Sequence, residues 1–498
     1  MERLALLKEL SFGSRVAEEE TQHLASYFVE TYQWSRIERG EIDIIIGEKG
    51  TGKSAIYTLL TAKTDVFFDK NILLVAAETP RGNTVFKDLV ANPPTSEHEF
   101  IVLWKLYILA LAAERLRDLG FSDKNAQKLC DTLEDAGLLP KEFDIRAILR
   151  SVYGAAKRLL SAEALEITGT VDPNTSFPIA TGKITLREPI DDRSRIGFIS
   201  VDGLLRAANN SLSQMGYKLW VLFDRLDVAF AETLDLEANA LRALIRVYAD
   251  IRGLDFIGLK IFLREDIWKR VNEGGFRESS HLTRVDTLRW TNEYLLNLIV
   301  RRILINDVLV KEFDIDREAI MRDNDEKISL IKKLFPSQVD QGKKKPSTLK
   351  WMVTRCADAK EVTAPRELIH LLNELRTEEI KRLEKNNKMP DGDVLFDRSV
   401  FKLALASVSN VRLDQTIYAE YPLQKQLIEK LRNQKTEQTE ESLGSLWGVD
   451  IESARTKADE LVDLGFFQRR DRQGEATYWV PYLYRDALHM IQGKAEED

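Results

Sequence analysis

The sequence predicts an α/β fold: a parallel sheet carrying a helical insertion, a helical lid and a C-terminal winged-helix domain. Three observations predict it. A β-branched run, Ile42–Ile46, leads directly into the glycine-rich segment Gly47–Ser54 and then into an apolar run that starts a helix, Ala55–Leu60. A second apolar run, Tyr217–Phe223, ends on Asp224. The last part of the chain reads as helix, turn, helix, strand, turn, strand. The first two define the P-loop NTPase class, because a phosphate loop needs a strand before it and a helix after it.

Bulk properties set the frame. The chain has 498 residues, room for roughly two to four domains. With 44% hydrophobic and 31% charged residues it can bury several cores without a disulfide or metal staple. Lys and Arg total 72 against 80 Asp and Glu, a net charge of −8, which argues against a nucleic-acid coat protein but leaves room for a local basic face. Cys130 and Cys356 stand alone and the five histidines are scattered, so no zinc spacing exists. Two isolated cysteines fit a reducing cytoplasm. Met1–Leu10 has charges among its apolar residues and makes a poor signal peptide; no uncharged apolar run is long enough to span a bilayer. The expectation is a cytoplasmic protein without membrane contact.

Along the chain, residues 1–40 read as an N-terminal helical segment closed by Gly40. Residues 41–290 read as the sheet domain, with strands at Ile42–Ile46, Asn71–Ala76, Tyr217–Phe223, Phe256–Leu263 and Val285–Leu288. It holds an insertion at about 97–195. That insertion is helical at first, then irregular or hairpin-bearing over 166–193, where Gly and Pro punctuate short polar stretches. A helical lid occupies 291–385, Asn386–Asp393 is the linker, and 395–498 forms the winged-helix domain. The polar stretch 433–442 reads as an exposed turn.

The chemistry centres on Gly47-Glu48-Lys49-Gly50-Thr51-Gly52-Lys53-Ser54, which fits G-x-x-x-x-G-K-[ST]. Gly50 and Gly52 let the backbone approach phosphate in conformations a Cβ forbids. The amides of residues 50–54, Thr51 among them, form an anion nest at a helix N-terminus, and Ile56 lies in the first turn of that helix. Lys53 brings a point charge to the β/γ-phosphates, and the Ser54 hydroxyl is a hard ligand for magnesium. Asp224 at its strand tip is the second candidate for Mg2+. Asp227 is a candidate to orient water or act as base; its alternative is a helix cap or surface carboxylate. Glu78 follows the second strand at the same sheet edge and is a further candidate. The set predicts binding of ATP or GTP with magnesium, and hydrolysis.

These motifs resemble the AAA+/STAND branch of P-loop ATPases. The Asp-Arg-Leu-Asp stretch at 224–227 is similar to KAP-type NTPases, and the winged helix behind the lid to initiator-type ATPases. Phe12–Arg15, Trp34–Ile37 and Tyr478–Leu488 look like segments of a bacterial P-loop ATPase family often encoded in defence or mobile loci. The resemblance implies ATP as the nucleotide. It also implies that Arg264, ending FIGLKIFLRED, senses the γ-phosphate; the alternative is a local pair with Glu265 or Asp266. Arg366, in Thr363–Ile369, would reach the nucleotide from the lid, or else lie in solvent. Arg270, Arg277 and Arg284 are arginine-finger candidates for a homo-oligomer. The position after Asp224 is Arg225, where classical AAA+ enzymes carry glutamate, which implies slow turnover and a switch.

In the C-terminal domain, Asp450 is a candidate cap for the second helix. Arg455 and Lys457 on that helix, with Arg469, Arg470 and Arg472 in the wing, are candidates for DNA contact. The interspersed acids equally suit protein contact or packing on the lid. Three roles follow: an ATP-driven switch that assembles with itself or with a partner effector, with bacterial antiphage defence as a setting; a DNA-associated initiator or loader; and a nucleotide-binding scaffold with little hydrolysis.

Overall fold

The computed structural model describes residues 2–20, 23–79, 84–89, 96–160, 170–171, 178–179, 183–186, 197–226, 234–273, 276, 282–386, 390, 394–472 and 475–495. It has two compact units. One takes in Tyr32–Glu48 and Lys53–Leu288, and the other Met1–Thr31, Lys49–Gly52 and Arg289–Asp498.

The first unit is built on β1 (Ile44–Gly47), β2 (Ile72–Ala76), β3 (Lys218–Phe223), β4 (Ile257–Arg264) and β5 (Val285–Thr287). Their order is β2-β3-β4-β1-β5, and every pair is parallel. The fold is the α/β P-loop NTPase class. The apolar runs explain the strands: a parallel strand covered on both faces must be hydrophobic throughout, and β1 is buried at every position. Helix α1 (Lys53–Ala62) leaves the phosphate loop and buries Ile56, Tyr57, Leu59 and Leu60. Helix α2 (Glu97–Asp118) opens the stretch read as an insertion. It is nevertheless part of the main core, because 15 of its side chains are buried nearly all round. Its Trp104 indole donates to the Ala240 carbonyl at 2.8 Å and its Tyr107 hydroxyl to that of Ala77 at 2.7 Å. Of residues 166–193, most lie outside those described. Two short antiparallel pairs are present, Thr170–Val171 with Pro178–Ile179 and Lys183–Leu186 with Gly197–Ser200.

A buried ionic network sits at the start of β1. Lys260 of β4 has 0% exposure; its ammonium donates to Asp43 at 2.8 Å and to the Ile42 carbonyl at 2.5 Å, 4.1 Å above the Trp220 ring. Asp43 also meets Arg284 at 2.9 Å and accepts from the Tyr248 hydroxyl at 3.1 Å. Burial lowers the Lys260 pKa to about 8 despite Asp43. The folded state therefore binds fewer protons than the unfolded chain between about pH 8 and the ordinary lysine value near 10.4. Stability contributed by this group rises with pH across that window. A denaturation series from pH 7.5 to 10.5 should show the native chain gaining on Lys260→Met, by up to about 3 kcal/mol. Parallel curves would remove the effect.

The second unit gathers the N-terminal segment, the helical lid and the winged helix around one continuous apolar core. Helix α3 (Asn292–Leu304) starts at a Thr291 cap; α4 (Pro365–Asn386) and α5 (Val400–Arg412) follow. A π-helical turn, Leu413–Tyr418, continues α5. The segment read as one N-terminal piece, 1–40, divides at Thr31/Tyr32. The reason is what each half buries: Leu6, Leu7, Leu10 and Phe12 enter the lid core, whereas Trp34 and Ile37 are buried in the sheet unit. Within 1–40, the described residues beyond Phe12 are also less helical than read, with Ala17–Glu19, Leu24–Tyr27 and Tyr32–Glu38 wound.

The winged helix likewise shares the lid core. The Ser409 hydroxyl accepts from the Ala487 amide at 3.0 Å, and Arg412 of α5 pairs with Glu367 of α4 at 2.7 Å. Helices α6 (Glu440–Trp447) and α7 (Ile451–Asp463) are joined through left-handed Gly448 and the Asp450 cap. Strands β6 (Lys435–Thr439), β7 (Gln468–Arg472), β8 (Glu475–Trp479) and β9 (Ile491–Lys494) form one sheet in the order β7-β8-β6-β9. The stretch 433–442, read as a turn, thus supplies an interior strand and then the start of a helix. Its inward residues, Thr436 and Gln438, are polar, so the alternation carries no apolar signal. Among the described residues no helix is long and apolar enough to cross a membrane.

Candidate nucleotide site

The phosphate loop leaves β1 at Gly47, whose register partner on β4 is Arg264. Gly50 and Gly52 have φ of 85° and 98°, the left-handed region that side chains disfavour. A Cβ on residue 50 would also come within 3.1 Å of the Arg366 Cβ. The Lys53 ammonium donates to the carbonyls of Gly47 at 2.7 Å and Glu48 at 2.9 Å, so the lysine folds back across its own loop. Ser54 follows it on α1, half-buried. Ile56 is buried in the first turns of α1.

Asp224 follows the last residue of β3 at the carboxyl ends of the strands and is only 4% exposed. Arg225 beside it has φ of 60°, an uncommon state for an arginine, and donates to the Thr79 carbonyl at 3.2 Å. Tyr57 on α1 donates to the Glu78 carbonyl at 2.5 Å. Burial, then the negative charge of Asp224 and Glu78, pushes its phenol well above the ordinary value. It stays a neutral donor. Glycines without Cβ at the loop, a hydroxyl at 54 and a buried carboxylate at 224 fit a magnesium–triphosphate group.

Two candidates are otherwise engaged. Glu78 is fully buried, and its carboxylate accepts from the Thr79 amide and hydroxyl, the Thr84 hydroxyl and the Val85 amide. It fastens the loop after β2, leaving no lone pair for water. Arg264 is held by Asp266 in a two-pronged pair at 3.0 and 2.8 Å, the local alternative. Of the finger candidates, Arg270 pairs with Glu237 at 2.7 Å and Arg284 with Asp43. Asp227 and Arg277 lie outside the described residues.

Within the second unit the turn Lys49–Gly52 has partners that sequence reasoning missed. Lys49 pairs with Glu420, just past the π-helical turn. The Trp290 indole donates to the Thr51 carbonyl at 2.7 Å. Both join residues hundreds of positions apart, and no local pattern announces them. Arg366 packs its Cβ toward Gly50, with Ala364 and Glu367 beside it.

Two of the winged-helix candidates, Arg455 and Arg469, are ion-paired. Arg455 is bound by Glu440 through two bonds of 2.8 and 2.7 Å. Arg469 pairs with Asp459 and Asp471, each at 3.3 Å. Arg470 donates to Gln468 and stacks 4.1 Å over Trp479. Lys457 is half-buried on α7, and Arg472 ends β7 with its side chain outside the description.

No protein-family model matches the sequence, and no curated protein matches it. Among solved structures the chain is similar to the ORC2 protein of Aeropyrum pernix. With its ADPNP–ADP complexes it shares 11% identity over 94% of this chain and 92% of that one, at a TM-score of 0.36. With the ADP form the figures are 11%, 91%, 90% and 0.32. Cdc6p from Pyrobaculum aerophilum gives 11% identity over 97% and 96%, at 0.27.

Proposed function

We propose that the chain is a magnesium-dependent ATPase of the AAA+ type that uses slow hydrolysis as a conformational switch. The observation behind this is the loop itself: two left-handed glycines, a lysine already folded over it, and a buried carboxylate on the same sheet edge. The amides of 50–54 and Lys53 would bind the phosphates; Ser54 and Asp224 would hold the ion. Magnesium would neutralise charge on the phosphate oxygens. Asp227 is assigned to positioning water, and Arg264 and Arg366 to sensing the terminal phosphate. Arg264 would have to exchange Asp266 for that phosphate, which suits a slow switch. A copy of the chain or a partner effector would read the switch. Titration with a fluorescent ATP analogue tests the reading: saturable, magnesium-strengthened binding is expected, and it should vanish in Gly52→Val. Equal binding by that variant counts against the loop.

A second reading, an initiator-like DNA-binding ATPase, is supported by the winged helix sharing its core with the lid. The paired arginines oppose strong binding. Fluorescence anisotropy with duplex DNA should give weak, salt-steep binding that Arg469→Ala and Arg470→Ala reduce roughly uniformly across sequences. Unchanged affinity in both variants would end this reading. No described residue supports the antiphage-defence setting.

A further inference from the structure

A small cavity of about 130 Å3 lies within the second unit, lined by Arg15, Arg366, Glu367, His370, Arg412 and Gln415, with Thr416 of the π-helical turn among the remainder. Three buried polar atoms of its lining have no hydrogen-bond partner: Nε of Arg366, Nε of Arg412 and Oε2 of Glu367. Glu367 is 4% exposed and Arg412 9%. Their facing atoms are already joined, Arg412 Nη1 to Glu367 Oε1 at 2.7 Å. Arg15 reaches the same place and is anchored by Gln415 at 2.9 Å. Burial lowers the His370 pKa, with Arg15 adding to the effect, so the imidazole is neutral at pH 7. Three guanidinium groups line the cavity against one carboxylate, with Asp358 acting on Arg412 and Glu374 on His370 from outside the lining, so the lining itself is richer in cations than in anions.

Three orphaned buried groups converging on one cavity call for a shared occupant. Two of the three are donors on cations and need an anion. The third is a carboxylate oxygen and needs a donor. One small species supplies both, an oxyanion that keeps an O–H. We propose that this cavity is a binding site for inorganic hydrogen phosphate. Its P–O oxygens would accept from Arg366, Arg412 and Arg15, and its P–O–H would donate to Glu367 Oε2. Sulfate carries no proton at neutral pH, and a phosphate monoester is mostly a dianion there, so both would face Glu367 lone pair to lone pair. The site does not depend on the ATPase reading; inorganic phosphate already in solution and inorganic phosphate released by hydrolysis would bind with equal chemistry.

Calorimetric titration of the full chain with phosphate and with sulfate, in the presence of saturating ADP, tests it. Phosphate should bind, and sulfate roughly tenfold or more weakly. Arg15→Gln should weaken phosphate about tenfold. Glu367→Gln, which turns an acceptor into a donor, should abolish the preference and admit sulfate. Because Glu367 is buried, its variant is checked for folding by circular dichroism; Arg15→Gln and the sulfate comparison decide the matter if it is unfolded. Equal binding of the two anions to the native chain, no phosphate binding, or phosphate binding indifferent to Arg15→Gln would each overturn the assignment. Loss of ADP binding with retained phosphate binding would instead break the nucleotide reading alone.

Discussion

Replacing Lys53 by alanine is expected to lower ATP turnover by roughly 10²–10³-fold or more, the scale of losing one preorganised charge donor at a reacting phosphoryl group. The lysine already lies over the loop, held by the Gly47 and Glu48 carbonyls. It must leave those oxygens for phosphate, so its removal costs the bound state more than the empty one. Phosphate release at saturating ATP measures the effect. The variant should fold as the native chain does, because Lys53 is half-exposed and packs no core. A turnover rate within twofold of native would remove Lys53 from the machinery. Lys53→Arg should not restore the rate, since a planar fork does not replace a point charge in a tight loop.

The second large effect concerns stability. Asp43→Ala should destabilise the chain by about 3–5 kcal/mol, because it leaves the buried Lys260 ammonium without its anion. Lys260 donates to Asp43 and has no exposure, and Arg284 loses the same partner. The unfolding midpoint in urea, followed by circular dichroism, is the readout. A shift equivalent to less than about 1 kcal/mol would put the network among weakly coupled surface pairs. The double variant Asp43→Ala with Lys260→Met should recover a good part of the loss, since removing both partners spares the unpaired charge.

Legibility followed distance along the chain. The strand–loop–helix unit around Gly47–Ser54 could be read because its eight residues are contiguous. The strands could be read because burial on both faces forces apolar runs. Asp224 was visible as the polar tip of one. The lone lysine in Phe256–Leu263 was also a signal, since a cation inside a buried strand requires an anion. Its partner, before β1, depends on strand order, which a sequence does not state. Arg264 was legible only as a choice between γ-phosphate and near neighbour, and the neighbour two residues on holds it. Strand β6 was hidden because its inward residues are Thr436 and Gln438. The N-terminal division at residue 31 was hidden because both halves carry similar apolar content and only the packing separates them.

The indole of Trp290 clasps the Thr51 carbonyl. A ligand that turns the peptide planes of this loop changes the length or angle of that bond. Indole emission responds to the loss of a hydrogen bond and to a change of polarity around the ring. The difference in emission between the native chain and Trp290→Phe, which cancels the seven other tryptophans, therefore gives a dye-free optical gauge of the phosphate loop.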